Sequence, residues 1–335
     1  MQYLMAIDAG TGSVRAVIFD INGNQIAMSQ QEWTHNQEDG VPFSMSFDCK
    51  KNWELTVSCI KESISLAKIE SKDIVAVSST SMREGIVLYD KAGVELFAVA
   101  NVDARAGDEV KYLKEHFKGV EEEFYKESGQ TFALGAIPRI MWLKNNKPEL
   151  YNQVAKIGMI SDWILYKLSG VFSSDPSNGG TSGIFSLEKR DWVASMMSKV
   201  GLKDDIFPSS FEVGEVIGKV TNPTCGLVNS TLVVQGGGDV QLGSAGLGVV
   251  ELGDVAILGG SFWQQIVNIK SDITPPQDMS IRVNPHVIPN QSQAEGITFF
   301  SGLVMRWFRD AFCDMEKLEA KEKGRRIKTG DWKNW

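Results

Sequence analysis

Short apolar runs separated by tight turns open the chain. YLMAID, the small-residue turn AGTGS, VRAVIFD, the Asn-Gly turn INGN and QIAMSQQ read as three strands, with the Asn-Gly pair marking a hairpin. The period then changes: Trp53, Val57, Ile60 and Ile64 recur at helical spacing over residues 50 to 67, and the strand-like DIVAVSST follows. The opening is therefore βββαβ. GIVLYDKAGVELFAVAN predicts a second hairpin turning at Lys91-Ala92-Gly93, and helices are expected at about 106–117, 138–147 and 159–168. Further on, STLVVQGGGD and VAILGGSFWQQIV place two strands, read as buried, before glycines. Apolar periodicity fades from Asp314, and the last 15 residues hold six Lys or Arg against two acids, so this tail is expected to be unpacked. Trp142, Trp307 and Phe308 are read as core. No heptad, solenoid period or low-complexity block interrupts the alternation of strand and helix.

Composition narrows the function classes. A chain of 335 residues suggests about two domains. The net charge of −8 argues against general affinity for nucleic acid or an anionic membrane and favours a small-molecule partner. Cys49, Cys59, Cys225 and Cys313 lack the close pairs of a zinc or redox motif and read as buried thiols. With no basic leader and no apolar run of membrane-spanning length, a cytoplasmic protein is expected.

Several stretches carry candidate chemistry. DAGTGS ends a strand in an acid and turns through residues with little side chain, so its amides could form a phosphate nest. Thr11 and Ser13 add hydroxyls, Arg15 a charge, and Asp8 a carboxylate able to orient magnesium through water. It lacks the Gly-Lys-Ser/Thr ending of a P-loop. LGGSF repeats the strand-then-glycine device at Gly259, Gly260 and Ser261. In QGGGD the glycines suggest close backbone approach by a ligand, and Asp239 suits a general base, with an Asp turn or cap as the alternative. Arg83-Glu84, Asp103-Arg105, Asp162-Trp163 and Asp175 with Asn178 are polar clusters in apolar surroundings. Each suits a sugar-like ligand or, equally, a local ion pair or helix cap. The histidines, His35, His116 and His286, are too dispersed for a triad or metal site.

Taken in order, LMAIDAGTGSVRAVIFD, VSSTSMREGIVLY, NVDARA, MISDW, DPSN, GGGDVQLG, LGGSFWQQ, NPHVIP and MRWFRDAFC make the chain, from about Tyr3 to Leu318, resemble the FGGY carbohydrate kinases. SMREG differs from the Gln-Met-His-Gly type of the xylulose kinases and points to another branch. The resemblance implies an α/β, actin-like or RNase H-like N-terminal domain over 1–245, only the beginning of the second RNase H-like domain over 246–318, and a divergent basic tail over 319–335. It implies a phosphotransferase with ATP and Mg2+ as cofactors, acting on the terminal hydroxyl of a sugar-like substrate. Asp239 would be the catalytic base, and Arg83, Glu84, Asp103, Asp162, Trp163 and Gln241 would bind the substrate. Asp8, Gly10, Thr11, Gly12, Ser13, Arg15, Gly259, Gly260 and Ser261 would hold the nucleotide phosphates, with magnesium near Asp8 through water. Nucleic acid and membrane are not expected partners. A homodimer or a separately encoded C-terminal half stays open. So do a xylulose- or glycerol-kinase-like specificity and a non-catalytic substrate-binding remnant, because relatives continue well past this chain and the likeness decays after Leu318. Ala136 and Arg139 depart from the family's usual residues.

Overall fold

The structure is a computed structural model that describes residues 1–260, 262–298 and 301–322. Strands β1 (Tyr3–Ala9), β2 (Ser13–Asp20) and β3 (Gln25–Glu32) form the expected meander. Its INGN turn closes because Asp20 accepts hydrogen bonds from the amides of Asn22 and Asn24, both at 2.9 Å, while Gly23 takes φ 85°. Helix α1 (Cys49–Ala67) starts where the Asp48 side chain accepts the Lys51 amide and ends with Lys68 in the left-handed region. Such a cap contributes about 1 kcal/mol. Its Cys59, Ile60 and Ile64 are buried in the main core.

The chain then enters β4 (Ile74–Ser81), the hairpin β5 (Ile86–Tyr89) and β6 (Glu95–Val99), and four helices: α2 (Gly107–His116), α3 (Val120–Ser128), α4 (Ala136–Asn146) and α5 (Pro148–Gln153). Strand β7 (Lys156–Met159) pairs with β5 and leads into α6 (Ile160–Ser169). A two-residue pair joins β8 (Ser173–Ser174) to a later β9 (Ser209–Ser210), enclosing α7 (Pro176–Gly179) and α8 (Ala194–Lys199). Strands β10 (Val216–Lys219) and β11 (Leu232–Gly238) complete a six-stranded sheet of order β10-β11-β4-β1-β2-β3. In it β11, β4 and β1 are parallel, so their carboxyl ends lie side by side, with Asp8 and Gly237 both registered against Thr80. Crevices at such ends are where open α/β sheets bind ligands.

Helix α9 (Asp239–Gly246) carries the chain away from β11 to a second sheet of order β12-β13-β15-β14. These strands are β12 (Val255–Gly259), β13 (Trp263–Lys270), β14 (Arg282–Pro285) and β15 (Gln291–Thr298); α10 (Ser301–Phe312) and α11 (Asp314–Glu322) follow. Val240 of α9 joins Ala256 and Ile266 in this sheet's small core. Edge strand β14 is fastened to the larger unit. The Val283 amide donates to Gly129 O at 3.1 Å, and Gln130 Nε2 donates to Val283 O and Asn284 Oδ1 at 2.8 and 2.9 Å. Gly129 sits at φ 70°, and a Cβ there would stand 2.3 Å from Val283 O, so this junction requires glycine.

The residues after Gly238 are helical, and Val240 and Gly243 pack against the second sheet. Two expectations are corrected. β12 is an exposed edge rather than a buried strand, with Val255 and Ile257 facing outward. Trp142 is core, but Trp307 and Phe308 are 60% and 48% exposed on α10. The chain stays helical over α11 after Asp314; the rest of the basic tail and Ser261 lie outside the described residues.

Candidate active site

The three glycines before Asp239 make room for the protein itself, which corrects the expectation of a ligand there. A Cβ on Gly236 would lie 1.7 Å from Ser79 O of the neighbouring strand, one on Gly237 would lie 2.4 Å from Ser177 Oγ, and one on Gly238 would lie 2.6 Å from Gln241 Oε1. Close packing fixes the Gly237–Gly238 peptide from both sides. Thr80 Oγ1 donates to Gly237 O at 2.8 Å, and the Gly238 amide donates to Ser177 Oγ at 3.0 Å. Ser177 is in turn held by Asp175, whose Oδ2 accepts its hydroxyl and amide. Asp175 and Asn178 therefore cap and brace: Asn178 Nδ2 donates to Ser81 and Ser161.

Asp239 is the first residue of α9, where the helix dipole favours a negative charge. Its side chain keeps 41% of its surface open. Burial pushes its pKa up to about 7, the charges of Asp8 and Glu84 push the same way, and the Arg83 guanidinium, 3.9 Å away, opposes them. Asp8, at the end of β1, is also partly open, at 31%, and pairs with Arg15 across the β1–β2 ladder at 3.3 Å. Burial raises its pKa and Arg15 lowers it.

The loop after Asp8 is turned by its carbonyls. Trp33 Nε1 donates to Gly10 O at 3.0 Å, the Trp33 amide to Gly12 O at 3.1 Å, and His35 Nε2 lies 2.6 Å from Thr11 O. In a trans peptide C=O and N–H point opposite ways, so the Thr11 and Gly12 amides face away from Trp33 and His35. That is the arrangement of a phosphate nest. Thr11 Oγ1 is bonded to Asn101 Nδ2 at 3.0 Å. Gly259 and Gly260 close the β12–β13 hairpin, with the Gly260 amide donating to Phe262 O.

Arg83 and Glu84 meet the second sheet. Arg83 Nη1 and Nη2 donate to Glu295 Oε2 and Oε1 at 2.6 and 2.8 Å, and Arg282 Nη2 donates to Glu84 Oε1 at 2.7 Å. Glu84 holds φ 62°, uncommon for a residue with a side chain, while its amide donates to Thr181 and its carbonyl accepts from Arg139. Arg139 also donates to Asn101 O and Asp103 O, which gives this family departure a bracing role. Gln241 is fully buried beside Gly238, with neither amide atom hydrogen-bonded among the described residues.

Three expected substrate residues are enclosed within the protein. Asp103 is enclosed, with Arg105 Nε at 2.9 Å and the Met45 amide at 2.6 Å on its carboxylate. Asp162 lies inside, its pKa raised by burial to about 8, and it accepts the Met159 amide and the Ser174 hydroxyl. Trp163 packs edge-on against Phe47 and Trp53 in the core, its indole N–H donating to Glu95. All three correct the sequence reading, for an acid beside a base or a ring was in each case a structural anchor. Sequence reasoning missed Glu295, Arg282 and His35. Glu295 stands in the polar run QSQAEGIT, which carries no mark of a buried charge. A recess of about 640 Å3 between α3 and the Ser271–Thr274 loop includes none of the candidate residues.

The profile of the FGGY family of carbohydrate kinases, N-terminal domain, matches residues 3–246. The chain belongs to this family. It is 54% identical over 326 residues to an autoinducer-2 kinase of Yersinia pestis bv. Antiqua (strain Angola), covering 96% of this chain and 61% of that protein. The corresponding protein of Klebsiella pneumoniae is 53% identical over 328 residues, covering 97% and 62%. The chain thus spans about three-fifths of the length of these relatives. Among solved structures, gluconate kinase from Lactobacillus acidophilus superposes with a TM-score of 0.83 at 21% identity, covering 92% of this chain and 62% of that one. Plasmodium falciparum glycerol kinase with ADP gives 0.82 at 18%, covering 92% and 63%. The likeness to these shows the fold, a mixed α/β, actin-like or RNase H-like architecture. No helix among the described residues is long and apolar enough to cross a membrane.

Proposed function

We propose that the chain carries the acceptor site and catalytic base of an ATP-dependent kinase whose substrate is autoinducer-2, 4,5-dihydroxy-2,3-pentanedione, phosphorylated at its terminal hydroxyl. The observation that carries this reading is Asp239: a half-open carboxylate with a pKa near 7, fixed at the carboxyl end of parallel strands beside a guanidinium. A base needs that combination of reach and near-neutral pKa. The substrate follows from the relatives at 53–54% identity.

Asp239 takes the hydroxyl proton as the new O–P bond forms and the bond from the γ-phosphorus to the ADP oxygen breaks. Thr11, Gly12, Ser13 and Arg15 would face the phosphates from the β1–β2 turn, with Gly259, Gly260 and Ser261 as the second phosphate contact. Arg83 and Gln241 would orient the acceptor. In such transfers alignment and charge neutralisation do most of the work.

Magnesium is tested by the donor set. Among the described residues no group of three or more acidic, His or Cys side chains forms a metal cage, and the carboxylate nearest the phosphate turn, Asp8, is paired with Arg15. The residues present fit an ion that arrives on the nucleotide phosphates and touches Asp8 through water. When bound, it would neutralise phosphate charge. A reaction that draws on ATP would run in the cytoplasm, where it would remove a quorum-sensing signal by phosphorylating it.

ADP formation by the 335-residue chain, measured with Mg·ATP and autoinducer-2, xylulose or glycerol in turn, tests the reading. The expected result is ADP release dependent on autoinducer-2 and at least tenfold slower with the other two, the scale of discrimination that a few lost contacts give. Preference for xylulose or glycerol reassigns the substrate. Binding of autoinducer-2 in calorimetry with no ADP release replaces the kinase with a binding module.

A further inference from the structure

We propose that Glu295 is a positioning residue for this site: by gripping Arg83 at two points from the second sheet, it holds the guanidinium off Asp239 and leaves that carboxylate free. The inference rests on the reading of Asp239 as the base, and it adds a residue that no motif pointed to.

The geometry is specific. Arg83 and Glu295 both have buried side chains and meet in a two-point contact, Nη1 to Oε2 at 2.6 Å and Nη2 to Oε1 at 2.8 Å, the strongest arrangement available to this pair. Only Nε remains on the side of Asp239, and its 3.9 Å separation from Oδ1 exceeds hydrogen-bond length. An Arg83 released from Glu295 would have Asp239 as its neighbouring acid and would close that gap. The resulting pair would occupy the lone pairs that must receive a proton.

Arg282 completes the restraint. Its Nη1 lies 3.7 Å from Glu295 Oε1 while its Nη2 is bonded to Glu84, so two cations and two anions balance one another and Asp239 faces a nearly neutral group. The charges that act most strongly on Asp239 are Arg83, Asp8 and Glu84, from β1 and the loop after β4. Glu295 acts on it through Arg83. Since β15 supplies Glu295, seating the second sheet sets the base carried by the first.

Carboxyl-13C NMR of the full chain with labelled aspartate tests this without relying on turnover. The Asp239 signal is assigned by its loss in Asp239→Asn. In Glu295→Gln the Asp239 titration midpoint is expected to fall by about one pH unit or more, a tenfold change in proton affinity. Glu295→Asp keeps the charge but shortens the reach, and should give a smaller fall in the same direction. In an Arg83→Met background, Glu295→Gln should no longer move the midpoint. Circular dichroism identifies which variants fold, and Glu295→Asp decides the matter where Glu295→Gln does not. An unmoved midpoint in a folded Glu295 variant, or a full shift that persists without Arg83, would overturn the proposal and leave Glu295 a structural tie. Should the midpoint move while no ADP is released, the positioning role stands and the kinase reading falls.

Discussion

Asp239→Asn is expected to slow autoinducer-2-dependent ADP release by about 10²–10⁴-fold, the usual contribution of a general base. Asparagine keeps the size of the side chain and can still meet the Val240 amide, which Asp239 accepts at 2.8 Å, so the fold should survive. The wild-type rate should depend on pH in one direction. Burial places the Asp239 midpoint at about 7, with Asp8 and Glu84 adding to the rise and Arg83 opposing it; a carboxylate must be deprotonated to act as a base. The rate therefore climbs as pH rises through about 7 and levels above it. The Asn variant should show no such limb. Equal rates for the two proteins would remove Asp239 from the mechanism.

Gly236→Ala is expected to be the most damaging small substitution in the chain. Its added methyl would stand 1.7 Å from Ser79 O and 2.7 Å from Ser79 C, both backbone atoms of the adjacent strand, so no side-chain rotation relieves the contact. β11 would have to separate from β4 where their parallel pairing positions Gly237, Gly238 and Asp239. A loss of about 4 kcal/mol or more follows, at the severe end of single substitutions and a large part of a typical domain's stability. Gly107→Ala is the control: nothing lies within 4 Å of its added methyl, and alanine suits a helix start better than glycine. Chemical unfolding monitored by circular dichroism should find Gly107→Ala within about 0.5 kcal/mol of the parent and Gly236→Ala largely unfolded. A stable Gly236→Ala protein would contradict the packing described for β11.

The same glycines show how far the sequence could be read. Strand-forming residues before them and the lone acid after them identified both the strand end and the candidate base, because those signals are local. What the glycines accommodate was not local: Ser79 and Ser177 are distant in sequence, and only the sheet order brings them there. The meander, α1 and the KAG hairpin were legible for the same reason, since Asp20, Asp48 and Asp90 each bond backbone amides within four residues. Asp103, Asp162 and Trp163 misled because an acid that anchors a buried arginine or caps a buried helix has the same sequence neighbours as one that meets a ligand. Whether a carboxylate is open, as for Asp8 and Asp239, depends on what folds over it. Glu295 was invisible because its partner Arg83 lies 212 residues away, in the loop after β4, and His35 because a carbonyl it supports leaves no trace in side chains.

The central claim is that Asp239 meets the acceptor hydroxyl, and a structure of the protein with autoinducer-2 and a non-hydrolysable ATP analogue tests it most directly. The account predicts the terminal hydroxyl within about 3 Å of an Asp239 oxygen, with the terminal phosphate on the far side of that hydroxyl, toward the Thr11–Gly12 amides. A ligand bound away from Asp239, or a carboxylate paired with Arg83 and turned from the hydroxyl, would contradict it.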